Sequence, residues 1–424
     1  MGEDQIMTIA AKYKKMIKNS IPRSTKIKIR KALDFVPSNF DNYICNKRYN
    51  RLSTIKPGEI IRVGFIAQMP QVWDKQMQLF DALASDERFT PVIIVVPEYD
   101  FTNKHVNKEY KDNYFLKNYS DYCVKAYDEG KWIDIRSLKL DYVFYQRPYD
   151  WYLPEELKSF NVSSYTKCCY IPYAIWMSKH NLCGYNRAFF RSLYFGFMES
   201  KENCDGLIKR GDYKAEKRYL FCGYPSLDLD EPAVSQTKHD KTTVLWTPRW
   251  SYDKNVGGSH FFEYKDDILT LAKDSDEYRV ILRPHPLSFQ NYVSMGLMTE
   301  DEVDAYKKKA VECGASFDSN ELIDDTFADT DILITDVSSI IYPFVLFEKP
   351  IIFCNTKIPQ SPSFEALFDC MYVAENWEDV MMWISEIKKG NDSLKDKRHK
   401  YAEKLRTENK GAVERIIRHL EKGE

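Results

Sequence analysis

Short apolar tracts without polar alternation recur along this chain, each followed by a longer amphipathic or polar stretch. The first half holds them at residues 61–67, 91–96, 141–145, 168–171 and 218–222. Runs this short and this uniformly apolar predict strands buried on both faces, the habit of a parallel sheet. Residues 73–84 carry apolar positions at helical spacing, so this half opens as a strand–helix–strand unit. A second series starts with a strand at 243–247, then a helix at 261–272, a strand at 278–282 and a helix at 299–313. It continues with a strand at 332–334, a helix at 340–347, strands at 351–354 and 371–374, and a helix at 376–388. The charged tail 392–420 reads as one long helix with Leu405, Val413, Ile416, Ile417 and Leu420 along its apolar side.

Two such series in 424 residues predict an α/β protein of two domains. Their strand exits matter most, because ligands of open α/β sheets bind in the crevice outside the carboxyl ends of the strands. The start of the chain stands apart. Over residues 1–31, nine Lys or Arg meet two acids, for a net charge of +7. Ile6, Ile9, Ala10, Tyr13, Met16 and Ile17 recur at helical spacing, Pro22 breaks the run, and Ile27, Ile29, Leu33 and Val36 suggest a second helix. A basic amphipathic helix fits an anionic membrane surface; a helix packed on its own domain is the plainer account.

Composition narrows the class. With 44% apolar and 29% charged residues the chain is neither disordered nor fibrous. A whole-chain charge of −2 argues against a nucleic-acid binder that works through a global basic field. The ten cysteines lack metal-ligand spacing and suit a reduced, cytoplasmic protein. No apolar stretch reaches membrane-spanning length, and no secretory signal is expected.

Candidate chemistry gathers at strand exits of the second series. In Arg283-Pro284-His285-Pro286 the two prolines hold a cation and an imidazole in extended backbone at the end of the 278–282 strand. Histidine there can hold or protonate a phosphate oxygen near neutral pH. Thr247-Pro248-Arg249-Trp250 follows the 243–247 strand, and Gly257-Gly258-Ser259-His260 leads into the next helix. Arg249 and His260 are anion contacts on this reading, and Ser259 is a helix cap. Thr335-Asp336-Val337-Ser338-Ser339 sets hydroxyls and amides where the 340–347 helix begins, a place that stabilises an anion. Capping alone would explain the same residues. Asp329-Thr330-Asp331 has the spacing of an acidic metal motif but falls where a helix meets a buried strand, so no metal site is expected there.

Taken in order, TPRW, GGSHFFEYKD, RPHPLSF, DILITDVSSIIYPF and KPIIFCN resemble the CDP-glycerol glycerophosphotransferase family of teichoic-acid and capsule synthesis. The resemblance spans about residues 223–417 and implies a GT-B fold, two Rossmann-like domains facing across a cleft. On it, residues 1–57 form a basic helical extension, 58–228 the acceptor domain, 229–242 a linker and 243–390 the donor domain. Residues 391–424 form a helix able to cross back to the first domain. The resemblance further implies that alditol phosphate, glycerol first and ribitol second, passes from a CDP-activated donor to a glycan or lipid-linked acceptor. It places His285, Arg283, Ser338 and Ser339 on the diphosphate, with Arg249, Ser259, His260 and Thr335 around the donor and Asp336 orienting the turn. No cofactor or metal is implied. The expected site of action is cytoplasmic, on the inner face of the membrane, met through residues 1–36. Relatives carry a His-Gly-Thr-Pro segment whose histidine is the general base; here that region reads Tyr170-Ile171-Pro172-Tyr173-Ala174, leaving His180 as the substitute base. A nucleotide-sugar glycosyltransferase and a non-catalytic scaffold of a capsule complex remain the alternatives.

Overall fold

The structure, a computed structural model, describes residues 40–423 apart from 53, 57, 101–104, 109, 111–112, 178–186, 211–213, 229–239, 253–257, 275, 319–322 and 357–359. Two parallel sheets organise it. The first has seven strands in the order Tyr219–Leu220, Phe195–Phe197, Lys167–Tyr170, Tyr142–Tyr145, Ile61–Ala67, Phe89–Val95 and Cys123–Lys125. The second has six, in the order Ser316–Phe317, Tyr278–Leu282, Thr242–Thr247, Ile332–Thr335, Ile351–Cys354 and Tyr372–Ala374. In both, the first strand of the series lies inside the sheet. The chain adds two strands on one side, then returns past the first strand to build the other. This is the dinucleotide-binding strand order, with its switch point beside the first strand.

The apolar tracts explain why the sheets form. Every residue of Ile61–Ala67 except Arg62 is buried, and Tyr142–Tyr145, Ile332–Thr335 and Ile351–Cys354 are buried throughout. Each fully buried aliphatic or aromatic side chain contributes roughly 1.5–3 kcal/mol of transfer free energy. The sheet is crowded at Gly64, where a Cβ would lie 2.6 Å from Leu140 Cδ1 and would force that side chain to shift.

Several sequence expectations are corrected. The helix expected over 261–272 is two, Phe261–Tyr264 and Asp267–Lys273. The one expected over 340–347 shortens to Ile341–Val345. The tail is broken into Lys395–Asn409 and Ala412–Lys422, because Gly411 takes a left-handed φ of +73°. Asp228 fixes that break by accepting the amides of Gly411 (2.9 Å) and Val413 (3.2 Å). The extension drawn as residues 1–57 also ends too late. Residues 40–49 are helical and pack on the first domain, where Arg48 donates to Phe160 O at 2.7 Å and buried Arg218 donates to Asn42 Oδ1 at 2.9 Å. The basic run 1–36 lies outside the described residues.

The chain's last helix returns to the first domain. Tyr142 Oη donates to Leu420 O at 2.8 Å and Arg415 Nε to Cys222 O at 2.7 Å, while His419 lies 5.9 Å from the Phe195 ring. Ser361 of the second domain meets the first through Met177 O (2.7 Å from its amide) and Trp176 O (2.9 Å from its hydroxyl).

Candidate functional site

The switch point of the second sheet lies between Thr242–Thr247 and Ile332–Thr335, and both strand exits carry residues the sequence singled out. Asp336, 1% exposed, ties them together. Its Oδ2 accepts the amides of Arg249 (2.9 Å) and His260 (3.2 Å), and its Oδ1 lies 2.6 Å from His260 Nδ1. An acid would repel phosphate; this one holds two loops in register. Burial alone would lower the proton affinity of His260, but the Asp336 hydrogen bond and charge outweigh it and the net shift is upward. His260 also stacks on Tyr264, with ring centres 5.0 Å apart.

Arg249 is the hub of the crevice. Its Nη1 donates to Val337 O at 2.7 Å, locking the guanidinium across the Thr335–Ser339 turn, and it lies over the Trp250 ring. Its charge also reaches His285, which sits 6.3 Å from Trp250, ring centre to ring centre. The backbone amide of Leu287 donates to His285 Nδ1 at 3.1 Å. That bond needs a bare Nδ1, so the neutral ring carries its proton on Nε2, turned away from the Pro286–Leu287 turn. The surrounding protein, and then the Arg249 charge, push the imidazole down to about 4. The residue as a whole stays exposed at the rim of the crevice.

The Ser338–Ser339 turn is half-buried. Among the described residues neither amide has an acceptor, and Ser339 Oγ has no partner. The following helix has only five residues and is preceded by Ile340, without a side-chain cap. Ser338 Oγ makes only a long contact with the Ile340 amide, at 3.5 Å, and the macrodipole of so short a helix adds little, so the turn offers individual N–H and O–H donors.

The remaining expected contacts lie elsewhere. Arg283 is ion-paired to Asp318 at 2.5 Å, so Arg249 is the cation whose charge reaches His285. Thr335 is fully buried, its hydroxyl shared with Thr247 Oγ1 at 2.7 Å. Ser259 is buried as well, 3.3 Å from Tyr292 Oη and accepting the Phe261 amide at 3.1 Å. Asp331 accepts the Thr243 amide at 2.7 Å, and Asp329 faces Arg279 at 3.6 Å, so both acids brace the sheet. His180 lies outside the described residues. His260, Asp336 and Cys354 bring one nitrogen, one oxygen and one sulfur within 4.8 Å of one another. Both Asp336 oxygens already accept hydrogen bonds, which accounts for that cluster without an ion.

The strand ends Gln68-Met69-Pro70, Gln146-Arg147-Pro148 and Pro172-Tyr173 mark a crevice edge of the first domain in the sequence, but the sequence assigns none of these residues a contact. At its own switch point Gln146 Oε1 accepts the amides of Gln68 (2.6 Å) and Met69 (2.9 Å), and Arg147 Nη2 donates to Gln68 Oε1 at 2.9 Å. Tyr173 lies within electrostatic reach of Arg249 across the cleft. The Tyr-Asp-Trp-Tyr run at 149–152 was the signal available in the sequence.

Two dinucleotide-type sheets that meet at a cleft, with free N–H and O–H donors at the switch point of the second, define a GT-B-type architecture. The chain belongs to the family described as CDP-Glycerol:Poly(glycerophosphate) glycerophosphotransferase, which it matches over residues 208–422, just over half its length. It is 29% identical over 149 residues to the teichoic acid poly(glycerol phosphate) polymerase of Staphylococcus epidermidis, a match covering 32% of this chain and 19% of the relative. The match thus spans about a fifth of the length of the first curated relatives. In fold it is similar to the wall teichoic acid polymerase TagF in a structure with CDPG, at a TM-score of 0.51 and 12% identity over 93% of this chain and 96% of that one. It is as similar to a UDP-GlcNAc 2-epimerase from Neisseria meningitidis bound to UDP-GlcNAc (TM-score 0.54, 11% identity, 85% and 99% covered). Likeness of fold alone therefore does not choose the donor.

Proposed function

We propose that this chain moves glycerol phosphate, or another alditol phosphate such as ribitol phosphate, from a CDP-activated donor to a hydroxyl of a glycan or lipid-linked acceptor, releasing CMP. The observation that supports this reading is the convergence on one switch point of Arg249, the Nε2–H of a neutral His285 and the donors of Ser338 and Ser339, in a chain of this family. The acceptor oxygen attacks the β-phosphorus; its bond to phosphorus forms as the bond to the CMP oxygen breaks. Such a transfer needs alignment and charge neutralisation more than covalent help. Arg249 supplies the charge, His285 donates one hydrogen bond to the diphosphate, and the turn amides donate others. On this reading no metal is required. The acceptor proton passes to a base, for which His180 is the position the sequence offers. Among the described residues no helix is long and apolar enough to cross a membrane. Residues 1–36 would hold the enzyme on anionic lipid at the cytoplasmic face.

The test is CMP release from CDP-glycerol and CDP-ribitol with lipid-linked and glycan acceptors. His285→Ala should lower kcat/KM by at least about 100-fold while the melting temperature holds. No CMP from either donor with any acceptor would overturn the reading. A nucleotide-sugar donor is the second reading, because the UDP-GlcNAc-bound epimerase shares the architecture. Thermal shifts separate the two: stabilisation by UDP-GlcNAc and not by CDP-glycerol would favour it, and stabilisation by no nucleotide would favour a scaffold.

A further inference from the structure

The first domain carries an aromatic surface that the donor chemistry does not use. Tyr149 and Tyr173 share a hydrogen bond between hydroxyls at 3.0 Å, and their rings lie 6.1 Å apart. Tyr149 also packs on Trp151, with centres 4.8 Å apart and planes tilted by 36°. Trp151 lies 5.7 Å from Tyr152, and Tyr173 lies 6.4 Å from Trp176. Beneath them Arg147 stacks on Tyr152, 4.3 Å from the ring centre, while its Nη2 holds Gln68. Trp151 is 52% exposed, a large exposure for the biggest apolar side chain in the cluster. Tyr149, Trp151 and Tyr152 follow the carboxyl end of Tyr142–Tyr145, one of the two strands flanking the first sheet's switch point, and Tyr173 follows that of the neighbouring Lys167–Tyr170. Tyr173 thus joins the cluster, through Tyr149, to the exposed Trp151, and lies within electrostatic reach of Arg249.

We propose that Tyr149, Trp151 and Tyr173, braced by Arg147, form a platform that seats a pyranose ring of the acceptor. The inference rests on the transferase reading and names the chemistry of its second substrate. A pyranose presents faces of C–H bonds that pack on the electron-rich faces of aromatic rings, and hydroxyls at its rim that need donors and acceptors. Trp151 supplies the face, and the Tyr149–Tyr173 hydroxyl pair supplies the rim. A lipid tail would gain nothing from the hydroxyls, and a bare polyol would gain little from the indole. Tyr173, which lies within electrostatic reach of Arg249, sets the end of the platform from which an acceptor hydroxyl enters the crevice.

The probes are N,N′-diacetylchitobiose, methyl β-glucopyranoside and methyl β-galactopyranoside, with glycerol as the polyol control and CDP as the donor control. Binding to the full chain is followed by calorimetry and saturation-transfer NMR. At least one saccharide should bind saturably, with its ring C–H protons receiving the transfer. Trp151→Ala should weaken it at least about tenfold, Trp151→Phe should restore most of the loss, and CDP affinity should stay within about twofold. The proposal is overturned if none of the three saccharides binds, if glycerol binds as well, or if Trp151→Ala leaves binding unchanged. A loss of CDP affinity in Trp151→Ala would overturn it too, by giving the platform to the donor's base. If saccharide binds and CDP does not, the platform stands and the donor reading falls.

Discussion

His285 and His260 lie on neighbouring strand exits and are tuned in opposite directions. His285 binds its proton less tightly than an ordinary histidine, so between pH values near its ordinary value and about 4 the unfolded chain holds a proton the folded one lacks. Its contribution therefore destabilises the fold as pH falls through that window. His260 binds its proton more tightly beside Asp336, so its stabilisation is complete below the ordinary histidine value and is lost as pH rises through the raised one. Melting temperature against pH for the wild type, His285→Gln and His260→Gln should show the acid-side slope lost in the first variant and the alkaline-side slope lost in the second. Because neutral His285 is the donor, the KM for the CDP-activated substrate should stay flat from about pH 6 to 8. A KM that rises through this range would mean that the imidazolium binds the phosphate. Asp336 and Ser339 differ in another way. Asp336→Ala strands two half-buried amides and the imidazole, and should cost on the order of 3 kcal/mol in urea unfolding. Ser339→Ala removes a hydroxyl that has no partner among the described residues, so it should leave unfolding unchanged and weaken CDP binding measured by calorimetry.

At the scale of elements, what the sequence disclosed depended on apolar density. The strands at 61–67, 278–282 and 351–354 were legible to the residue because continuous Ile, Val, Leu and Phe runs leave no alternative. Cys123–Lys125, Phe195–Phe197 and Ser316–Phe317 were not, since each is only two or three residues long and contains glycine or polar positions. The site was half legible. Residue type marked His285, Arg249 and Asp336, but only the fold could turn Ser259 and Thr335 inward, give Arg283 to Asp318 and assemble the Tyr149–Tyr173 cluster. The break in the tail was hidden for a related reason, as Gly411 becomes a stop only when Asp228, far away in sequence, takes the amides beyond it. That crossing has consequences at Gly223, whose φ is +83° and where a Cβ would lie 2.9 Å from Ala412 Cβ. Gly223→Ala is strained twice, by backbone and by contact, and should destabilise by roughly 1–3 kcal/mol. Fully buried Ile416→Ala should cost about 2–5 kcal/mol. Both losses should appear in the first domain's unfolding, followed by hydrogen exchange in Tyr142–Tyr145, although Ile416 lies close to the end of the chain. Exchange there unchanged in Ile416→Ala would mean that the crossing helix does not hold the first sheet.

For the whole molecule, charge is distributed in a way that net charge conceals. The chain sums to −2, yet residues 1–31 carry +7, so the remainder carries −9. A body of that net sign is repelled on average by an anionic bilayer, and the basic run is a dense local source of attraction. Each Lys or Arg near such a surface is worth about 1 kcal/mol, and the effect decays over a Debye length of roughly 8 Å at physiological salt. The full chain should therefore float with vesicles containing phosphatidylglycerol, stay in solution with pure phosphatidylcholine, and be released from the former by about 0.5 M salt. Removal of residues 1–36 should abolish flotation. CMP release on a water-soluble acceptor should be unchanged by the same truncation, because the crevice residues at 249, 285 and 336–339 belong to the second sheet. On a lipid-linked acceptor in vesicles the truncation should lower the rate, since the enzyme then loses its local concentration at the surface. If the truncated chain floats as well as the full one, attachment lies elsewhere, and the basic run has another role than holding this enzyme on lipid.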